Sequence, residues 1–173
     1  MAEKPLVGIL MGSDNDYEVM VEAAKILKQF HVPFEMTVSS AHRTPERTVE
    51  YVSTARDRGV KVLIAGAGAA AHLAGVVAAE TTLPVIGVPI DSSCLEGLDA
   101  LLATVQMPGG IPVATMAIGK AGARNAGIFA AQILGATDHE VAGRLATFKK
   151  EMAQSVVKKA DAIKLKLEQD GLA

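Results

Sequence analysis

Short apolar segments alternate with longer amphipathic segments along most of this chain of 173 residues. The apolar segments have the length of buried strands, and the segments between them place apolar residues at helical spacing. Because strands that alternate with helices form parallel sheets covered on both faces, this order predicts a three-layer α/β/α fold. Five parallel strands are predicted, at residues 6–11, 34–38, 60–65, 84–89 and 113–118.

Right-handed crossovers and short connections leave few possible strand orders for such a sheet. We predict the flavodoxin-like order 2-1-3-4-5, whose switch point lies between the first and third strands. A ligand is then expected in the crevice outside the carboxyl ends of these strands. The helices between the strands are predicted at about residues 19–30, 45–58, 72–80, 95–104 and 123–134.

A long amphipathic helix is predicted over about residues 138–169, with Asp138 as its N-cap. A helix of about 30 residues is ~45 Å long, which exceeds the diameter of a small domain. We therefore expect residues 1–173 to form one α/β domain whose final helix packs on a neighbouring copy. The alternative is a break near Gly143 that shortens the helix. The apolar positions that define the helix are Val141, Leu145, Phe148, Met152, Val156, Ala160, Ile163 and Leu167.

Composition limits the possible partners and compartments. A net charge of −2 and a pI near 6.1 give no global basic field for nucleic acid. The single cysteine, Cys94, excludes an intramolecular disulfide and is expected to be a small buried residue. The start of the chain, Met1–Pro5, lacks the features of a signal peptide, and no apolar segment is long enough to span a membrane. We expect a cytoplasmic protein with no nucleic-acid or membrane partner, and no residue cluster has the spacing of a metal site.

The segment Ser39–Pro45 places an imidazole, a guanidinium and hydroxyls between a predicted strand and a predicted helix. Thr44 is expected as the N-cap of that helix, with Pro45 at its first position. Loops at the carboxyl ends of parallel strands build ligand sites, so His42 and Arg43 are candidates for one. A capped turn with two solvated basic residues is an equally open interpretation.

Two further loops have chemistry compatible with the same ligand. Gly12 and Ser13 precede a helix and offer amides and a hydroxyl to an anion. Asp16 can accept from a sugar hydroxyl or cap the helix. The glycine segment 66–68 allows backbone to approach a planar ligand closely, and also matches a dinucleotide pattern, although after the third strand rather than the first. His72 is more consistent with a hydrogen-bonded structural histidine than with a catalytic one.

Four motifs occur in order and together carry a family resemblance. From Val7 to about Leu134 the chain closely resembles the bacterial N5-carboxyaminoimidazole ribonucleotide mutase family of purine biosynthesis. The motifs are Gly12-Ser13-x-x-Asp16, Ser40-Ala41-His42-Arg43-Thr44-Pro45, Ala65-Gly66-Ala67-Gly68 with Ala70-Ala71-His72-Leu73, and Gln106-Met107-Pro108-Gly109-Gly110-Ile111-Pro112-Val113.

The resemblance implies a cofactor-free shift of a carboxylate on a phosphoribosyl-imidazole, through release and recapture of CO2. It implies that His42 is the general acid and base, and that Asp16 binds a ribose hydroxyl. It implies that the phosphate binds to three residues of the first two loops, Ser13, Ser40 and Arg43. It implies that the carboxylate and CO2 bind to Ala67, Gly68 and the loop of Asn15. The other substrate-binding candidates are Gly12, Ala41 and Leu73.

The resemblance also implies a homo-octamer with sites near subunit boundaries. The chain departs from the family at Asn15, Ala69 and Ala74, where serine, glycine and proline are usual. Three alternatives remain. A related branch that carboxylates aminoimidazole ribonucleotide directly typically carries Ala-His-Lys-Gly where this chain has Ala-His-Arg-Thr. The others are a non-catalytic nucleotide-binding module and a dinucleotide oxidoreductase.

Overall fold

The computed structural model of the chain describes residues 4–172 and contains the predicted parallel sheet. Met1–Glu3, part of the segment interpreted as lacking a signal peptide, and Ala173 lie outside the described residues. All neighbouring strands pair in parallel, in the predicted order β2-β1-β3-β4-β5. The strands are β1 (Val7–Met11), β2 (Phe34–Val38), β3 (Val62–Gly68), β4 (Val85–Ile90) and β5 (Ala114–Thr115).

Helices cover both faces of the sheet, which confirms the three-layer architecture. They are α1 (Tyr17–Gln29), α2 (Pro45–Arg58), α3 (Leu73–Ala79), α4 (Leu98–Val105), α5 (Gly119–Gly135) and α6 (His139–Gln169). One core lies between the sheet and α1, α5 and the start of α6, and contains Ile9, Ile64 and Ile86. The other lies under α2 and α3 and contains Leu10 and Leu63. Adjacent residues of one strand thus face opposite cores, as the period of a strand requires.

Local signals at both ends explain why the bounds of α2 agree with the prediction. Pro45 occupies the first turn, and Gly59 follows the last residue with a φ of 106°. That left-handed conformation suits glycine and ends a helix. Thr44 precedes Pro45 as predicted, but its hydroxyl makes no cap bond to the helix. Instead it accepts from the Ser40 amide at 3.1 Å and donates to the Ser40 carbonyl at 3.2 Å.

The predicted end of β3 at Ala65 was wrong, because the strand continues to Gly68. Gly66, Ala67 and Gly68 pair in register with Val88, Pro89 and Ile90 of β4. Tertiary pairing here overrides the weak strand preference of glycine. The turn follows the strand instead, and Ala69 adopts a φ of 50°.

Three other bounds differ from the prediction around β5. The strand spans only Ala114–Thr115, and the chain then leaves the sheet to begin α5 at Gly119, which has a φ of 74°. Helix α4 begins at Leu98 rather than residue 95, because Glu96 and Gly97 are left-handed at 51° and 82°. Left-handed residues cannot continue a right-handed helix. The apolar spacing therefore predicted a helix α4 that begins three residues too early.

Helix α6 is continuous over 31 residues, so the alternative break at Gly143 does not occur. Asp138 caps it as predicted, accepting from the amides of Glu140 and Val141 at 2.9 and 3.1 Å. Phe148 packs edge-on against Phe30 with ring centroids 5.3 Å apart. Beyond that contact, every described residue from position 149 to 172 is exposed.

Candidate active site

The loop after β2 is a turn held together by the Ser40 side chain and main chain. The Ser40 hydroxyl accepts from the Arg43 amide at 3.2 Å, and the Ser40 carbonyl accepts from the Thr44 amide at 2.9 Å. These bonds leave the imidazole of His42 and the guanidinium of Arg43 exposed on the outside of the turn. The sequence therefore builds a rigid turn that presents both side chains.

The loop after β1 begins with a single turn of 3₁₀ helix at Asp14–Asp16. Ser13 and Asp16 cap this turn reciprocally: the Ser13 hydroxyl accepts from the Asn15 amide at 3.3 Å, and an Asp16 carboxylate oxygen accepts from the Ser13 amide at 2.9 Å. The Asp16 side chain is therefore a cap, which was one of its two interpretations. Only one of its two carboxylate oxygens makes that bond, and carboxylate oxygens accept more than one hydrogen bond.

The loops at the carboxyl ends of the first four strands enclose a cavity of about 280 Å³. The first two loops, which are separate in sequence, are joined by one bond: Arg43 Nη2 donates to the Gly12 carbonyl at 3.0 Å. The cavity lies beside β1 and β3, where the switch point of this strand order was predicted to place a ligand. Its lining residues are Gly12, Ser13, Asp16, Ser40, Ala41, His42, Arg43, Ala67, Gly68, Ala70, Leu73 and Ser92.

Two charged side chains of opposite sign face this cavity. Burial raises the pKa of the Asp16 carboxyl above its ordinary value, while the Ser13 amide and the charge of Arg43 act in the opposite direction. Asp16 is only 6% exposed, whereas Arg43 is exposed. The arrangement offers a guanidinium and serine hydroxyls for an anion at one end and a buried carboxyl for a hydroxyl beside it.

Comparison with known proteins assigns this arrangement to a family. A family model described as AIR carboxylase matches residues 6–155. The chain belongs to the AIR carboxylase family. Its similarity extends to the N5-carboxyaminoimidazole ribonucleotide mutase of Bacillus subtilis, with 57% identity over 92% of this chain and 99% of that protein. A protein of the same name from Pyrococcus horikoshii is also 57% identical, over 92% of this chain and 89% of that protein.

Solved structures agree with this assignment. A crystal structure of Treponema denticola PurE superposes with a TM-score of 0.84 at 30% identity, covering 92% of this chain and 99% of that one. The chain is also similar to the Phosphoribosylaminoimidazole carboxylase of Schizosaccharomyces pombe, with 52% identity. That match covers 93% of this chain but only 29% of the longer yeast protein. The family thus includes relatives named for two different reactions.

In this AIR carboxylase family member, the structure gathers most of the predicted site residues but not all of them. Asn15 lies outside the lining of the cavity and is exposed. Leu73 is 2% exposed and closes the cavity from the first turn of α3. The backbone of β3 contributes Ala67 and Gly68 to the wall, so these residues line the cavity from a strand rather than from a loop.

Two residues that were not among the predicted binding candidates also line the cavity. Ala70 follows β3, and Ser92 follows β4. A side chain at Gly68 would collide with the Ser92 side chain, so Ser92 would have to move if Gly68 were replaced. The rule that ligands lie at the carboxyl ends of parallel strands applies equally to β4 and could have identified Ser92.

His72 is hydrogen-bonded as predicted, but its partner is His42 rather than a structural group. His42 Nε2 and His72 Nδ1 are 2.8 Å apart, and the ring centroids are 4.9 Å apart with an interplanar angle of 84°. The two histidines are 30 positions apart in sequence and come from loops after different strands. This contact adds His72 to the site.

The remaining predictions concern metal ions, membranes and the single cysteine. Within residues 4–172 no three His, Cys, Asp or Glu side chains are grouped so that they could hold a metal ion. No described helix has both the length and the hydropathy needed to cross a membrane. Cys94 is exposed, so the prediction that it is buried was wrong. It lies in the irregular segment between β4 and α4, which the sequence interpretation had assigned in part to a helix.

Proposed function

We propose that this chain is an isomerase of purine biosynthesis. It converts 5-carboxyamino-1-(5-phosphoribosyl)imidazole into 5-amino-1-(5-phosphoribosyl)imidazole-4-carboxylate. The observation that carries the proposal is the cavity at the carboxyl edge of the sheet, which combines His42 with groups for a phosphate and a hydroxyl. The identity with proteins named as this mutase, over nearly their whole length, supports it.

The phosphate of the substrate binds between the first two loops in this proposal. Ser13, Ser40 and Arg43 line both the cavity and a neighbouring groove of about 430 Å³ that also contains Arg47. A guanidinium with parallel donors suits a phosphate, and two hydroxyls beside it can donate to the remaining oxygens. Asp16 accepts from a ribose hydroxyl with the carboxylate oxygen that the Ser13 amide does not use.

His42 performs two proton transfers on the bound imidazole. As the bond between the exocyclic nitrogen and the carboxyl carbon breaks, its electrons stay on nitrogen, which takes a proton from His42. CO2 and aminoimidazole ribonucleotide then lie side by side. Ring carbon C4 attacks CO2, and His42 recovers a proton from C4, so protons balance over the cycle. One histidine can fill both roles because imidazole is both an acid and a base near neutral pH.

The reaction succeeds only if CO2 stays beside the ring. Ala67 and Gly68 at the end of β3 and the apolar side chain of Leu73 line one part of the cavity, and in this proposal they hold CO2 against the ring. Holding two reactants together replaces an encounter in solution and keeps water from competing. Asn15 is exposed and directly precedes the lining residue Asp16, and in this proposal its loop helps to hold the carboxylate and CO2.

Turnover of the carboxyamino substrate by the purified protein tests this proposal. The reaction mixture contains no ATP, biotin or added metal, and the 4-carboxylate product is measured against the spontaneous loss of CO2. A parallel reaction supplies aminoimidazole ribonucleotide with bicarbonate, the substrates of the direct carboxylase branch. We expect rapid conversion in the first reaction and a slow one in the second. The reverse preference would assign the chain to the carboxylase branch, and tight binding without turnover would make it a nucleotide-binding module.

We further propose that this single α/β domain assembles as a cytoplasmic homo-octamer, with α6 as its oligomerisation helix and the sites near subunit boundaries. The exposed apolar residues of α6, such as Met152, Val156 and Ile163, are 49%, 66% and 59% exposed in one subunit. Apolar faces of this extent in water favour association. Light scattering on the full chain and on a chain ending near Leu134 tests the assembly, and a fully active monomer in either sample would contradict it.

A further inference from the structure

The two halves of the cavity differ in their chemistry. The loops after β1 and β2 supply the polar side chains of Ser13, Asp16, Ser40, His42 and Arg43. The other half, at the end of β3 and in the loops after β3 and β4, is lined by Ala67, Gly68, Ala70, Leu73 and Ser92. Among the described residues, the Ser92 hydroxyl is therefore the one polar side-chain group that this half offers to a ligand.

Ser92 is placed against Gly68 by the way in which β4 ends. Gly68 pairs with Ile90, the last residue of β4. The Ser92 amide donates back to the Ile90 carbonyl at 3.0 Å, so the chain turns directly after the strand. The atom nearest to the position of a side chain at Gly68 is the Ser92 hydroxyl oxygen. Because Gly68 has no side chain, this hydroxyl lies close to the β3 backbone in the cavity wall.

The Ser92 hydroxyl is available to a ligand. Ser92 is exposed, and its hydroxyl makes no hydrogen bond with any residue in the described range 4–172. The hydroxyl of the next residue is used inside the loop, where Ser93 accepts from the Leu95 amide at 3.1 Å. A serine hydroxyl donates one hydrogen bond and accepts two, so Ser92 keeps its full capacity for a ligand. The two adjacent serines thus have different roles.

The substrate proposed above reaches Ser92 with its imidazole end, and the present inference rests on that proposed function. The phosphate binds between the loops after β1 and β2 in that proposal. Strand β4 is two strands away from β1, and neighbouring strands are about 4.8 Å apart, so the loop after β4 is about 10 Å from the loop after β1. A ligand that crosses this edge from its phosphate to its ring places the carboxylate of the ring beside β3 and β4.

We propose that Ser92 is a substrate-binding residue that holds one carboxyl oxygen throughout the shift. When the bond between the exocyclic nitrogen and the carboxyl carbon breaks, its electron pair stays on nitrogen and the group becomes neutral CO2. When C4 adds an electron pair to that carbon, negative charge returns to the oxygens. The Ser92 hydroxyl donates to the same oxygen before, between and after these steps, so that CO2 stays beside the ring.

A neutral donor suits a group whose charge disappears and then returns. A hydrogen bond from a cation to a carboxylate is about twice as strong as a neutral one. A cation here would stabilise the charged substrate and product relative to CO2, and it would raise the barrier between them. Among the described residues, no lysine or arginine lines this half of the cavity. Arg43 lines the other half, where the phosphate keeps its charge throughout the reaction.

Turnover of two serine variants tests the proposal. Ser92→Ala removes the hydroxyl, and Ser93→Ala, in the same loop, is the matched control. The measurement is the amount of aminoimidazole ribonucleotide formed per 4-carboxylate product, after subtraction of the spontaneous loss of CO2. We expect this ratio to rise about fivefold in Ser92→Ala, as loss of a hydrogen bond to neutral CO2 allows, and to stay at the wild-type value in Ser93→Ala. A merely structural role of Ser92 would slow both outcomes equally, and an unchanged ratio would overturn the proposal.

Calorimetric titration gives a second test that needs no turnover. The product carries its carboxylate on C4, and aminoimidazole ribonucleotide is the same molecule without it. Ser92→Ala should bind the product about tenfold more weakly than the wild type, because it loses a hydrogen bond to a charged group, while the affinity for aminoimidazole ribonucleotide changes by less than about threefold. Equal losses for the two ligands would overturn the proposal.

Failure of the proposed function gives a different result. If the wild type binds both ligands but converts no carboxyamino substrate, the proposed function fails, while the titration still decides whether Ser92 holds the carboxylate. If the wild type binds neither ligand, both proposals are overturned.

Discussion

The carboxyl edge of the sheet and the outward face of α6 are opposite kinds of surface. At the edge, Arg43, Ser40 and Asp16 each make a hydrogen bond with a backbone group of the same subunit. On the outward face of α6, no described residue from position 149 onward is buried. A substitution at the edge thus removes specific contacts, whereas one on α6 removes few within a subunit. The difference shows which surfaces are held by contacts within one subunit and which are not.

The largest effect is expected at the edge, for His42→Asn. The variant keeps the turn closed by Ser40, because those bonds do not use the imidazole. Turnover of the carboxyamino substrate should fall at least about 10²-fold, since the only proposed proton carrier that meets the substrate is gone. Steady-state rates measure this, and titration with the product should show that binding remains. Near-wild-type turnover would remove His42 from the mechanism.

The next effect is on stability, and it compares a glycine-to-alanine substitution near the start of α5 with the same substitution in α6. A side chain at Gly122, near the start of α5, would collide with the Ala117 carbonyl, which is backbone and cannot move aside. Gly122→Ala should lower the free energy of unfolding by about 3 kcal/mol, as overpacking of a close contact does. Thermal unfolding at matched protein concentration measures the loss. An unchanged midpoint would mean that the start of α5 is looser than the structure describes.

Arg43→Ala should weaken substrate binding by a smaller amount. Removal of a charge-assisted bond to phosphate costs about 1.5–3 kcal/mol, which is roughly 10- to 150-fold in affinity. The matched ligand is the nucleoside without phosphate, whose weaker binding should change much less. Calorimetric titration of both ligands measures the contrast. Equal losses for the two ligands would show that Arg43 acts through its bond to Gly12 rather than through the phosphate.

The smallest effect is expected on α6, for Gly143→Ala. Gly143 lies within the helix, and nothing lies within 4 Å of where its side chain would be. Alanine should therefore stabilise the protein by roughly 0.5–1 kcal/mol, the helix preference of alanine over glycine. Thermal unfolding at matched protein concentration measures the gain, as for Gly122→Ala. Destabilisation would contradict this expectation and would indicate that another copy packs closely against Gly143.

Local signals predicted much of the fold. The ends of α2 follow from Pro45 and Gly59, and the cap of α6 follows from Asp138, because each acts through its own backbone neighbours. The sheet order followed from connection rules rather than from residues. The end of β3 was wrong because pairing with β4, about twenty positions later, decides whether the glycine segment is strand or loop.

The site shows the same division between local and distant effects. The turn around His42 could be predicted because its bonds lie within the segment 40–44. Its contact with His72 could not, because it depends on the register of β1 between β2 and β3 and on the turn at Ala69. Ala69 has a φ of 50°, a left-handed conformation that costs an L-residue about 1–2 kcal/mol. The residue types thus predicted which groups to expect at the strand ends, and long-range geometry decided which of them meet.

The brevity of β5 has a consequence for the behaviour of the protein at high concentration. An open sheet has two edges, and unpaired backbone groups along an edge can recruit strands from other molecules into aggregates. Here one edge is a strand of two residues, and the other, β2, carries the polar side chains of Glu35 and Thr37. Neither edge offers a long apolar template, so copies of this chain should meet through helix side chains and remain in ordered contact rather than grow into fibres.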